Sequence, residues 1–362
     1  MRRSTVLGVV LVGGSILGAT TFVAAPPTGA EAVLTTTTTL PTASDTTTPE
    51  PSTTIAETTT TSTTSTTLPP PESVIIHGVG DTNFDISYIP NLLTHGFEYA
   101  FGGLDGLFID DDLTIINLEC TASLLGQPLD KAFTFRCDPR SLPVARQFGV
   151  DVANLANNHT HDFGTDAMLD GRANVNRAGI RAVGVGEDLA TATAPSVVTA
   201  GDWRIAVLGM GGVVPSAGWL ATDDRPGMAS GDDIEQMTAA VRAAAEVADF
   251  VAVSIHWGWE LETEPRLDDR ERAAAMIEAG ADMIFGHHPH RLGSLEFIDG
   301  KPVFWTLGNF VWPRLSDAGA TTAVGRVVIS PDGTLDACLI PAFIETSGQP
   351  VLTGEPSCGG GS

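Results

Sequence analysis

Val74-Ile75-Ile76-His77-Gly78-Val79-Gly80-Asp81 is an apolar run that stops on a glycine and a carboxylate. The same layout recurs along the chain. Leu113 to Ile116 leads into Asn117-Leu118-Glu119, and Val150 to Ala156 into Asn157-Asn158-His159. Phe250 to Ile255 leads into His256-Trp257-Gly258-Trp259-Glu260, and Met283 to Phe285 into Gly286-His287-His288-Pro289-His290. Ile205 to Leu208 and Val303 to Leu307 are further runs, the second followed by Gly308-Asn309-Phe310. Short apolar runs bounded by glycine and polar residues read as buried strands. The segments between them, Pro139 to Phe148, Thr165 to Ala178, Asp232 to Ala248 and Arg266 to Ala279, have helical composition, and Gly280 ends the last. Strands alternating with such helices indicate βαβ units. Ligands of open α/β sheets bind beyond the carboxyl ends of the strands. The polar clusters are therefore expected at one edge, where a metal site is assembled from distant pieces of sequence.

The chain has 362 residues, of which the first seventy or so are unsuited to a packed core. Residues 1–30 open with Arg2 and Arg3 and continue without charge from Ser4 to Ala30. They read as a signal peptide, with small residues near Ala24-Ala25, or as an uncleaved N-terminal membrane anchor. Either reading places the rest of the protein outside the cytoplasm. Residues 31–71 are almost entirely Thr, Ser, Pro and Ala, a composition expected to form a disordered stalk. Residues 72–347 suit one large α/β domain, and residues 348–362, rich in Gly, Pro and Ser, read as a flexible tail.

Formal net charge is -25, and Lys131 and Lys301 are the only lysines. Such a chain repels nucleic acid and anionic lipid, which excludes both as expected partners of the domain. The four cysteines, in an exported chain, are expected in disulfides, and sequence proximity pairs Cys120 with Cys137 and Cys338 with Cys358. A cysteine–metal site is the alternative, although no Cys-x-x-Cys spacing supports it.

Each cluster has a bland reading beside the chemical one. Asp81 is a candidate metal ligand or a helix cap, with Gly80 permitting close backbone approach. Asn117 and Glu119 lie two residues apart, so they share a strand face and suit a ligand or a buried polar network. Asn158 and His159 are candidate ligands in a turn, with Asp162 to orient an imidazole and His161 read as solvent-facing. His256 ends a strongly apolar strand, and Glu260 nearby suits acid–base work. Three histidines in four residues, His287, His288 and His290, are costly to bury unless paired or metal-bound. Among them His290 and then His287 are the expected ligands, and Arg291 is placed to meet an anionic group. Asn117, Asn157 and Asn309 are candidate substrate contacts. His77 and His95 stand alone and suggest packing or surface roles.

At these residues the chain resembles the CapA family of capsule and poly-γ-glutamate synthesis proteins, which are related to calcineurin-like metallophosphoesterases. The resemblance runs from about Ile75 to Ile344. It rests on Gly80-Asp81, Asn117 to Glu119, Ala156 to Gly164, Gly184 to Leu189, His256 to Glu260, Gly286 to His290 and Leu307 to Phe310. It implies a metallophosphoesterase-like layered α/β sandwich with two packed β-sheets flanked by helices. It also implies a role at the cell envelope in making or handling an extracellular anionic polymer, within or beside its biosynthetic membrane complex. The sequence departs from the wider phosphoesterase pattern: Asn83 stands where His is expected, and no bridging aspartate is visible.

Two functions follow as expectations. One is a metal-assisted hydrolase or transferase with one or two divalent ions, Mn, Fe, Zn or Mg, held by some of Asp81, Glu119, Asn158, His256, His287 and His290. In it His159, His256 or Glu260 moves protons. The other is a non-catalytic envelope protein that retains an anionic polymer, against which the acidic surface counts.

Overall fold

The computed structural model describes residues 72–360; the expected leader and stalk lie outside the described residues. The first half holds β1 (Val74–Thr82), α1 (Pro90–His95), β2 (Leu113–Leu118), α2 (Ser141–Gln147), β3 (Val150–Asn154), α3 (Thr165–Arg177) and β4 (Arg181–Val183). Next come β5 (Val185–Gly186), α4 (Leu189–Ala192), β6 (Ser196–Ala200), β7 (Trp203–Gly211) and β8 (Gly227–Met228). A second alternating stretch contains α5 (Ile234–Ala245), β9 (Phe250–His256), α6 (Leu267–Ala279), β10 (Met283–His287), β11 (Leu295–Ile298) and β12 (Lys301–Phe304). The last elements are β13 (Asn309–Val311), α7 (Asp317–Ala320), β14 (Thr321–Ile329), β15 (Leu335–Thr346), β16 (Gln349–Leu352) and β17 (Ser357–Gly360).

Apart from β5 and β8, which pair antiparallel by themselves, these strands build two large sheets. One runs β16-β15-β14-β1-β2-β3-β4, with β13 also on β1 and β17 on β15; the other runs β11-β12-β10-β9-β7-β6. β1 through β4 are mutually parallel. So are β7, β9, β10 and β12. The sheets pack face to face, with Ile76, Ile115 and Val152 of the first against Val207, Ala252 and Phe285 of the second. On the outer face of the first sheet, Val79, Ile116 and Ala153 meet Leu92, Leu142 and Met168 from α1, α2 and α3. On the outer face of the second, Leu208, Val253 and Ile284 meet Met237 and Val241 of α5 and Met276 of α6. The result is the layered α/β sandwich that the resemblance implies. Strands covered on both faces have no solvent side, which is why they read as unbroken apolar runs rather than alternations.

The helices start and stop where their caps allow. Asp233 accepts the Gln236 backbone N–H at 3.1 Å to open α5. Asp269 accepts the Arg266 N–H at 3.1 Å to open α6, which ends at Gly280 with φ of 117°.

Two corrections concern the edges of the fold. The segment expected as a loose tail is instead part of the sheet: β16 and β17 both pair antiparallel with β15. β15 is 12 residues long, and its open edge supplies the hydrogen-bonding groups that order the tail. Within that ladder Cys338 faces Cys358 and is bonded to it; Cys120 is bonded to Cys137. His161, expected at the surface, is buried and stacks on Trp219 at 5.1 Å. Among the described residues no helix is long and apolar enough to cross a membrane.

Candidate metal centre

The strand ends that carry the polar clusters belong to both sheets, and the site lies where their carboxyl ends meet. Asp81 stands opposite Asn117 in the parallel β1–β2 pair, and His256 opposite His287 in β9–β10. Asn154 ties the two sheets together, donating from Nδ2 to the Ser254 carbonyl at 3.1 Å. Gly80 permits the approach: a Cβ there would collide with the Gly308 carbonyl, and without one Asp81 N–H donates to that oxygen at 2.9 Å.

Asp81 and Glu119 are fully buried and differ sharply in their surroundings. Asp81 accepts from Asn117 Nδ2 at 2.8 Å and from the His288 N–H at 3.3 Å, and its Oδ2 lies 3.0 Å from His290 Nδ1. Burial alone would raise its pKa, but the His290 bond and the neighbouring imidazoles outweigh burial and hold it well below the usual carboxylate range. Glu119 has neither oxygen hydrogen-bonded. The imidazole nitrogens that face it stand beyond bonding reach: His256 Nε2 at 3.7 Å, with His159 Nε2 and His290 Nε2 each at 3.9 Å. Burial first, and the Asp81 charge second, push its carboxyl well above the ordinary 4.5.

Burial disfavours the charged form of two imidazoles beside these carboxylates, His256 and His288. Burial pushes His256 well below 6.5, and pushes His288 down to about 4. His256 is fixed at both nitrogens, by Asn117 Nδ2 at 3.1 Å and by Asn158 Oδ1 at 2.9 Å. His290 Nδ1 is held by Asn309 Oδ1 at 2.9 Å as well as by Asp81, which turns Nε2 toward Glu119. His288 and His290 both sit in the left-handed region, at φ 97° and 53°. Each such residue costs of order 1–3 kcal/mol, and such strain concentrates at functional sites.

His159 approaches from the turn after β3. Its Nδ1 meets Asp162 Oδ2 at 2.6 Å, which leaves Nε2 facing the cluster. Asp162 also accepts from Lys131 Nζ at 2.5 Å and from the Phe135 N–H at 2.7 Å. The loop that carries Lys131 and Phe135 is closed by the Cys120–Cys137 disulfide, and the Phe135 ring packs on His159 at 4.2 Å.

The expected residues separate into three groups. Asp81, Glu119, His256 and His290 converge with Asn117, Asn157 and Asn158 around them; Asn157 donates to the Leu118 carbonyl at 2.9 Å and to Asn117 Oδ1 at 3.3 Å. His287 lies beside the cluster but is bonded through Nε2 to Ser254 Oγ at 2.9 Å. The neighbouring His288 takes the place expected for His287. Glu119, His256 and His288 each offer a donor atom within 4.8 Å of one another, as do Asp81, Glu119 and His290. His288 was missed because the choice between adjacent histidines turns on a left-handed backbone before Pro289, which no composition signal reveals. Glu260 is exposed, and with Arg291, His159, His290 and Asn309 it lines a cleft of ≈ 300 Å³ over the cluster. A larger cavity, ≈ 530 Å³ between α4 and α5, contains none of these residues. His77 pairs with Asp111 at 2.7 Å in the core, and His95 stacks on Tyr99, both in structural roles.

The donor set fits a divalent cation. A buried carboxylate without a hydrogen-bond partner is costly alone and is satisfied by a cation, and His288 and His290 beside it each offer a ring nitrogen to the same ion. Fold and site together define an α/β sandwich protein with a carboxylate–imidazole centre between its sheets. The chain belongs to the family described as bacterial capsule synthesis protein PGA_cap, whose model matches residues 76–314. It is 31% identical over 273 residues to the PGA biosynthesis protein CapA of Bacillus subtilis, covering 72% of this chain and 71% of that one. It is 35% identical over 212 residues to a "Probable polyglutamine synthesis accessory protein" of Mycobacterium tuberculosis. That match covers 55% of this chain and spans 55%, about half, of the relative's length. Among solved structures it is similar to the sulfate thiohydrolase SoxB of Thermus thermophilus, with 15% identity, a TM-score of 0.41, and 81% of this chain and 57% of that one covered.

Proposed function

We propose that this protein acts outside the cytoplasm in the synthesis of a capsule-type anionic polymer, through a metal-dependent hydrolase- or transferase-like site. The observation that carries this reading is Glu119, a fully buried carboxylate with neither oxygen bonded, facing His256, His159 and His290. Asp81, Glu119, His256, His288 and His290 would hold the ion. When bound, a divalent ion supplies polarisation of a phosphoryl or acyl-type bond and acidification of water. His159, oriented by Asp162, accepts or returns a proton at Nε2. Asn117 and Asn158 fix the His256 ring, and Asn309 fixes His290. The polymer role is supported by family membership and by the name of the Bacillus relative. The extracytoplasmic setting is supported by the two disulfides.

The test is the metal content of the purified chain after reconstitution, beside a His256→Ala/His290→Ala variant. About one or two equivalents of ion are expected, lost in the variant, followed by turnover in a phosphoester and amide screen that His159→Ala abolishes. A wild-type chain that stays metal-free after reconstitution would sink the reading.

A further inference from the structure

The ≈ 300 Å³ cleft above the cluster carries two opposite charges that have no ion-pair partner among the described residues, Glu260 and Arg291. Both are fixed to the same turn. Arg291 directly follows His290 and donates from Nη1 to its carbonyl at 2.8 Å, with Gly319 leaving room beside the guanidinium. Glu260 is tied from the other side: the next N–H, of Leu261, donates to the Pro289 carbonyl at 2.8 Å, with Leu261 held at φ 68°. The turn thus brings a residue with a carboxylate and one with a guanidinium to the mouth of the same cleft, with the Glu260 backbone tied through Leu261. Tyr88, Phe133 and Trp312 supply the apolar wall beside them.

This lining does not suit the interior of a polyanion. Arg291 is the single Lys or Arg in the cleft, and Lys131 is engaged with Asp162. Each repeat of a polyanion brings a charge that needs a counter-charge, whereas Glu260 repels a second carboxylate. A volume of ≈ 300 Å³ is also at the small end for ligand sites. We propose that the cleft recognises a zwitterionic end group, an ammonium on Glu260 and a carboxylate on Arg291, as found on an amino acid or on the amino-terminal unit of a γ-linked amino-acid chain. The proposal rests on the reading above only in placing the chemistry at the Asp81–Glu119 cluster beneath the cleft. It makes the site one that engages a chain end or a small amino-acid derivative, not a binder of polymer along its length.

The experiment is titration calorimetry of the full chain, metal-stripped and Mn²⁺-loaded. The probes are γ-glutamylglutamate, its N-acetyl form, and its amino-terminal α-carboxamide. In the wild type, acetylation and amidation should each weaken binding by about tenfold or more, or roughly 1.4 kcal/mol. Glu260→Gln should lose the discrimination against the acetylated probe alone, and Arg291→Gln the discrimination against the amide alone. Arg291→Lys, which keeps the charge without the fork, should retain part of it. Equal affinity for the three probes, discrimination that survives both variants, or no binding of any probe would overturn the proposal. Selectivity without metal uptake would refute the hydrolase reading and leave this one standing. Metal uptake without selectivity would do the reverse.

Discussion

Replacing Glu119 with Gln separates the demands of folding from those of the ion. In the metal-free protein the Glu119 carboxyl, fully buried and unbonded, has its pKa raised above the ordinary 4.5. A group raised in the fold gives its full stability below its unfolded value and loses it as pH rises toward the folded one. The metal-stripped wild type should therefore lose roughly 1.4 kcal/mol per pH unit above about 4.5 relative to Glu119→Gln. The loss continues until the folded pKa is passed. For a domain somewhat larger than 150–250 residues, each kcal/mol is roughly 2–4 °C in Tm or slightly less. The assay is a thermal melt of both proteins at pH 5, 6, 7 and 8 in chelator, repeated with Mn²⁺. In chelator the variant should melt progressively higher than the wild type as pH rises. With Mn²⁺ the order should invert, because the wild type gains binding free energy that the amide does not provide. Parallel melting curves across the pH series, or equal stabilisation of both by Mn²⁺, would refute the argument that the unpaired carboxylate exists for a cation.

Four further outcomes follow from the same geometry. His288→Ala should weaken ion binding by more than the about 10–100-fold typical of losing a group that merely supports a ligand, whereas His287→Ala, which breaks only the Ser254 bond, should stay within that range; competition with a fluorescent chelator reads both. Asp162→Asn removes the charge and one of the two acceptor oxygens that His159, Lys131 and the Phe135 N–H share, turns an NH2 donor on the groups left, and should cost about 3–5 kcal/mol in chemical denaturation as well as activity. Reducing Cys120–Cys137, which closes a loop with sequence separation 17, should cost about 3 kcal/mol and free the Phe135 segment, visible as faster hydrogen exchange there. Gly80→Ala should fail to accumulate as folded protein, since its Cβ meets the Gly308 carbonyl, whereas Gly164→Ala meets nothing but its own φ of 90° and should fold with a smaller loss.

Much of the molecule was determined by the sequence alone, for a local reason. Strands buried on both faces must be apolar throughout, so β1, β2, β3, β7, β9 and β10 stand out as runs, and the polar residues at their ends have to be there for chemistry or for bonding. The same locality made the disulfide pairs, the helix ends near Gly280 and the role of Asp162 beside His159 legible. The tertiary structure decided what depends on direction and on the partner across a gap. That the clusters come from two sheets, and not one edge, follows from face-to-face packing of Ile76 and Val152 on Val207 and Phe285. That His288 and not His287 joins Glu119 and His256 follows from a left-handed turn before Pro289. That the tail after Thr346 is ordered follows from the free edge of β15, a long-range hydrogen-bonding opportunity with no signature in the tail's own Gly, Pro and Ser. Side-chain identity reports whether a residue tolerates burial, while the partner that makes burial of Glu119 worthwhile is set only when distant strand ends meet.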